Sequence, residues 1–230
     1  MPFLPLHDDN PRRWIETPYV TWSFVLFCVI LFIWQSGLDG AHAFQLLHAF
    51  GFIPAVFFDH LTLAPHFNVL PAEATAVTSV FLHGGAWHLI GNMLFLYIFG
   101  DGVEDGCGHV RFFVFFIVTG AIAAVAHGLT DMTSDAPLIG ASGAISAVLA
   151  AYLALRPKAK ITAIMPFFLP VSLPVWAWVA GWFAYQAIAS GGLLGADNVA
   201  YAAHFGGFLA GLCLIPFCKR REARLFSRSG

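Results

Sequence analysis

A serine among small residues, Gly140-Ala141-Ser142-Gly143, and a histidine inside an apolar run, Ala203-His204, are the residues of this chain best suited to covalent chemistry. A serine hydroxyl attacks poorly until a neighbouring imidazole takes its proton, so the two types suggest a nucleophile and its general base. The glycines also place Ser142 at the first turn of a helix. There, unbonded N–H groups and the positive end of the helix dipole can stabilise an oxyanion. His88 and Asn92 stand at i and i+4, share one helical face, and can donate to the same oxyanion. His83 and Ser146 are the other polar residues of note in these runs.

Other chemistries fit less well. A zinc protease helix reads His-Glu-x-x-His, but neither His83 nor His88 is followed by Glu, and a spacing of five puts them off one face. An aspartyl site in a membrane needs two buried carboxylates, and Asp101 has no counterpart in another apolar run. A soluble-hydrolase elbow reads Gly-x-Ser-x-Gly, whereas residue 144 is Ala. Nothing resembles a phosphate loop.

The elements that must carry these residues follow from composition. Of 230 residues, 59% are hydrophobic and 10% charged, against about 45–50% and 25% in ordinary soluble domains. The apolar stretches run to about twenty residues without the alternation of barrel strands. The chain therefore reads as an all-α polytopic membrane protein with six transmembrane helices. The spans cover residues 18–36, 83–100, 110–128, 140–155, 169–189 and 201–217. A long first outer loop, 37–82, has a Phe- and Leu-rich middle at 44–63, broken by Gly51 and Pro54. It is expected to associate with the membrane interface rather than cross it.

Charge placement sets the orientation. All 11 Lys and Arg fall on one side of a six-span chain: Arg12 and Arg13, Arg111, Arg156 to Lys160, and Lys219 to Arg228. The opposite loops hold Asp39, Asp59, Glu73, Asp131, Asp135 and Asp197 without a single basic residue. Both termini are therefore expected in the cytoplasm, with 1–17 as an N-terminal segment, 18–218 as the membrane domain and 219–230 as a basic tail. The pattern fits a bacterial inner membrane and leaves an organellar one open. No basic segment and cleavage site precede the first span, which predicts a retained helix. The four cysteines form no disulfide framework, and the basic residues form no patch for nucleic acid.

The reactive residues also share a depth. Ser142 lies fourteen residues before Arg156, His204 fifteen before Lys219, and His88 thirteen before Asp101. At 1.5 Å per residue these are about 21, 22 and 20 Å from the basic side. Small residues recur every fourth position, as Gly120, Ala124 and Gly128, as Gly143, Ala147 and Ala151, and as Ala203, Gly207 and Gly211. That spacing lets helices approach closely in lipid, and marks the third, fourth and sixth spans as interior.

Together these residues resemble the rhomboid intramembrane serine proteases in their bacterial six-helix form. The match rests on Gly140-Ala141-Ser142-Gly143, His88-x-x-x-Asn92, Ala203-His204-x-x-Gly207-x-x-x-Gly211, and Gly100-x-x-x-Glu104-x-x-x-Gly108 after the second span. It covers about 81–217. The resemblance implies a rhomboid-like bundle with Ser142 as nucleophile, His204 as general base, and His88, Asn92 and the Ser142 N–H as oxyanion hole. It implies a structural Glu104 holding the turn after the second span, and a Gly207 that admits close approach of the sixth span. It implies cleavage of single-pass membrane proteins near the outer end of their helices, in contact with lipid and without metal, nucleotide or other cofactor.

Two departures stand out. Many relatives carry Tyr or Phe four residues after the serine, where this chain has Ser146, and Trp-Arg in the first outer loop, where 37–82 has neither. Substrate is expected to enter beside the fifth span, past Pro166, Pro170 and Pro174, under a lid at Ser190-Gly191-Gly192. Its residues near the cut should be small and helix-breaking. A rhomboid-like binder that does not cut is the main rival reading. A transporter ranks behind it, since neither paired intramembrane charges nor inverted repeats are evident.

Overall fold

The structure, a computed structural model, describes residues 4–8, 11–165, 169–190 and 201–226. The helices are α1 (Tyr19–Ser36), α2 (Gly40–Phe50), α3 (Pro54–Phe57), α4 (Ala72–Thr78), α5 (Ala86–Cys107), α6 (His109–Gly128), α7 (Ser142–Leu155), α8 (Val175–Ser190) and α9 (Tyr201–Cys218). The strands are β1 (Leu4–Asp8), β2 (Lys160–Met165) and β3 (Leu169–Pro174). Among the described residues, α1, α6 and α9 are both long and apolar enough to cross a membrane. Of the other expected spans, α5 carries Asp101, Glu104 and Asp105 in its last turns, and α7 and α8 have 14 and 16 residues.

The small-residue helices form the interior. From Gly143 to Tyr152 every residue of α7 is buried. Gly207 of α9 sits directly on the carbonyl of Gly143, and a Cβ at Gly211 would lie 2.5 Å from the Ala147 oxygen. A Cβ at Gly143 would lie 2.5 Å from that of Ala123 on α6. These three helices meet backbone to backbone, as their spacing predicts, because any larger side chain would hold them apart. On α5, Gly100 faces Thr21 of α1, and Gly102 faces Tyr152 of α7.

The structure corrects the all-α expectation. β1, β2 and β3 form an antiparallel three-stranded sheet in that order, with Lys160 opposite Pro174 and Met165 opposite Leu169. The expected fifth span therefore begins as a strand, and its helix starts only at Val175. Pro170 and Pro174 lack the N–H that a helix interior needs, so this apolar stretch extends and pairs instead. Trp178 then ties α8 to β2 by donating its indole N–H to the Ile161 carbonyl at 2.9 Å.

The second span is displaced as well. His83 precedes α5 rather than lying in it, and the helix runs past Gly100 to Cys107. Gly100 and Glu104 are thus helical, and the reversal falls at Gly108, whose φ of +85° favours glycine. The first outer loop folds into α2, α3 and α4, and is fastened by a reciprocal Phe52–Leu138 backbone pair at 3.0 and 2.8 Å. Phe52 is fully buried there, against Gly128.

Charged residues collect at one end of the bundle. Arg156 donates to Asp105 at 2.9 Å and to the Pro11 carbonyl at 3.1 Å, Arg220 donates to the Asp105 carbonyl, and Arg111 to that of Lys219. The start of α1 and the ends of α5, α7 and α9 therefore lie together.

Candidate active site

Ser142 opens α7, preceded by Ala141, which offers its first turn no side-chain cap. The leading amides of that turn have no intrahelical carbonyl to bond, so a set of N–H donors points out beside the serine. His204 lies one turn into α9, and the Gly207–Gly143 contact brings that turn against the start of α7. As a result His204 Nε2 stands 2.8 Å from Ser142 Oγ. Two residues 62 apart in sequence meet at hydrogen-bond distance, as their matched depths allow.

Gly140 makes room for the second pair. Its φ is +119°, and a Cβ there would lie 2.6 Å from His88 Cε1 and 3.7 Å from Asn92 Nδ2. Only glycine allows both the backbone turn and the approach of α5. Its N–H is fixed by the Ser79 carbonyl at 2.9 Å. Asn92 is buried, and its Nδ2 has no hydrogen-bond partner among the described residues. A buried donor without an acceptor costs free energy unless a ligand satisfies it. Behind it, His83 is fully buried, 5.3 Å from His88 between ring centroids, with Nε2 likewise unpaired. A small pocket beside Ser142 is lined by Gly120, Ala123, Gly143, Ala144 and Ala203.

α8 supplies the remaining walls of His204. Trp182 lies along the imidazole with centroids 5.5 Å apart and planes at 37°. Gln186, one turn further on and buried, accepts from His204 Nδ1 through its Oε1. Ser146 takes no part, because its hydroxyl donates back to the Ser142 carbonyl at 2.7 Å. Among the described residues no three His, Cys, Asp or Glu side chains group to hold a metal ion.

Far from the serine, at the other end of α5, Glu104 is fully buried. It accepts from the Val20 and Thr21 N–H groups at 3.0 and 2.8 Å and from the Thr21 hydroxyl at 2.7 Å, and meets His109 Nδ1 at 2.5 Å.

A family profile described as the rhomboid domain matches residues 73–221. The chain belongs to the rhomboid family. It is 33% identical over 149 residues to yeast (Saccharomyces cerevisiae) "Rhomboid protein 1, mitochondrial", covering 63% of this chain and 42% of that protein. It is 31% identical over 144 residues to Arabidopsis thaliana "RHOMBOID-like protein 5", covering 60% and 41%. Against the rat (Rattus norvegicus) "Presenilin-associated rhomboid-like protein, mitochondrial" the identity is 29% over 167 residues, covering 69% and 42%. The chain thus spans about two-fifths of the length of these curated relatives. None of the three is bacterial, so they lend the expected bacterial form no support.

Within this rhomboid, Ser142, His204, His88, Asn92, Gly140, Gly143 and Gly207 converge on one site, and Gly211 continues the same helix contact. Gly100, Glu104 and Gly108 do not; they serve the opposite end of α5. Glu104 binds the first turn of α1 more than the turn after the second span. Sequence reasoning missed Gln186 and Trp182. A polar Gln within an apolar run, four residues after a Trp, was the available signal. It also missed Asp105, which accepts from the N–H groups of Arg13, Trp14 and Ile15. Pro166, Gly191, Gly192, Asp197 and Arg228 lie outside the described residues.

Proposed function

We propose that this rhomboid is a serine endopeptidase that cuts transmembrane substrates within the membrane. The observation that carries the reading is the 2.8 Å Ser142–His204 contact at the uncapped start of α7, beside the unpaired Asn92 amide. In this reading His204 Nε2 takes the proton of Ser142 as Oγ bonds to the scissile carbonyl carbon. The carbonyl oxygen becomes an oxyanion, to which Asn92, His88 and the Ser142 N–H donate. Collapse breaks the C–N bond, His204 gives its proton to the departing amine, and a water attacks the acyl-serine by the same base to release the acid. No metal, nucleotide or other cofactor enters these steps.

The Gly- and Ala-lined pocket beside Ser142 suits a small side chain next to the cut. We place six spans in the bilayer, α1 and α5 to α9, with 18–218 as the membrane domain. The flanks 1–17 and 219–230 lie on the basic side, and the serine nearer the other face. Lateral entry beside α8 brings a single-pass helix to the site from lipid. The basic side is the cytoplasm in a bacterial inner membrane; the mitochondrial names of two relatives favour an organellar one.

The test is a quenched fluorescent single-span peptide, with small helix-breaking residues near its outer end, in liposomes holding the protein. The wild type cuts it and Ser142→Ala does not. Equal cleavage by both, or none by a folded wild type, contradicts the reading and favours a rhomboid-like binder.

A further inference from the structure

We infer that Gln186 is a positioning residue for His204, the third member of the site, holding the imidazole in the tautomer that can take the serine proton. The inference rests on the protease reading and deepens it. A neutral imidazole carries its proton on one nitrogen only, and which one is set by the partner of the other. To act on Ser142, Nε2 must present a lone pair, so the proton must sit on Nδ1. An N–H held in a site this apolar needs an acceptor.

Gln186 Oε1 is that acceptor: it faces Nδ1, while Nε2 faces Ser142 Oγ. The two contacts lie on opposite sides of one ring, so the first selects the role of the second. Gln186 is 7% exposed, which leaves its amide little water to turn toward. Trp182, at i−4 on the same face of α8, lies against the ring and limits its rotation. Ser146, the α7 residue one turn beyond the serine, is bonded to its own helix and leaves this work to α8. A neutral amide here does what a carboxylate does in soluble triads, without placing a second charge in the membrane.

The test follows covalent labelling by a fluorescent fluorophosphonate, with kinact and KI resolved for purified full-length protein in detergent at pH 7.5. Gln186→Met keeps the length and removes the acceptor. It should lower kinact by about thirtyfold, within the range set by losing a tautomer-fixing hydrogen bond, and leave KI in place. Gln186→Glu, which can accept at Nδ1, should return kinact to within about threefold of wild type. If the Met variant does not fold, Gln186→Leu replaces it in the same comparison. Labelling of the acceptor-free variant at the wild-type rate overturns the assignment, and so does a Glu variant as slow as the Met one, which would mark a packing role. A folded wild type that does not label at all removes the protease reading itself, and the assignment with it. A wild type that labels isolates any failure to Gln186.

Discussion

The two ends of α5 hold polar residues in opposite states. At its last turns Glu104 and Asp105 are fully buried, and their oxygens are saturated by the backbone of α1 and its approach, by Thr21 and by Arg156. Near its start, His83 Nε2 and Asn92 Nδ2 are as deeply placed and have no partner among the described residues. One helix thus carries a closed network and an open one. The closed network ties the end of α5 to the start of α1, its approach and the end of α7, while the open one keeps the Asn92 donor and a His83 ring nitrogen free for something that comes and goes. Polar groups cost free energy when buried alone, so the unsatisfied end marks the site and the satisfied end the clamp.

The sharpest break in that contrast is Asp105→Ala. It takes away the carboxylate to which Arg156, its side chain only 10% exposed, and the amides of residues 13 to 15 donate. Breaking such a buried pair should cost about 3–5 kcal/mol of stability. Unfolding in detergent should show the loss, while molecules that remain folded keep wild-type labelling. Asn92→Leu should do the reverse. Its rate of peptide cleavage should fall by about a hundredfold, the scale of one lost oxyanion donor, with no loss of melting temperature because no bond is broken. A variant that melts early at full activity would swap the two assignments.

The smallest effect concerns a polar group outside both networks. Asp39 caps α2, and its carboxyl is held below the usual carboxylate range chiefly by the His42 N–H, then by the His42 side chain. A depressed folded value means the cap stabilises at neutral pH and is lost as pH falls through the acid range. Protection from amide exchange in the first turn of α2, relative to the unfolded chain, should therefore weaken as pH falls below the ordinary carboxylate range. In Asp39→Ala that protection should be low at every pH.

Much of the open site is legible in the sequence because helix rise is constant. Counting from the basic ends puts His88, Ser142 and His204 at one level, and small residues every fourth position show which backbones can touch. The clamp is harder to read. Asp101, Glu104 and Asp105 look like the end of a span, yet the helix continues through them, and Glu104 and Asp105 are met by backbone amides far away in sequence. Gln186 escapes depth counting because strand pairing from Lys160 to Pro174 separates α8 from its nearest basic residue. The sheet is hidden for a related reason: apolar character alone cannot tell the strand at Leu169–Pro174 from the first turns of a span.

The account stands most directly on whether Ser142 is activated. Wild type, Ser142→Ala and His204→Ala would be treated with a fluorophosphonate, digested, and the adduct located by mass spectrometry. The account predicts one adduct, on the peptide holding Ser142, in wild type alone. An adduct on another residue, equal modification of the His204→Ala protein, or no adduct on folded wild type would contradict it.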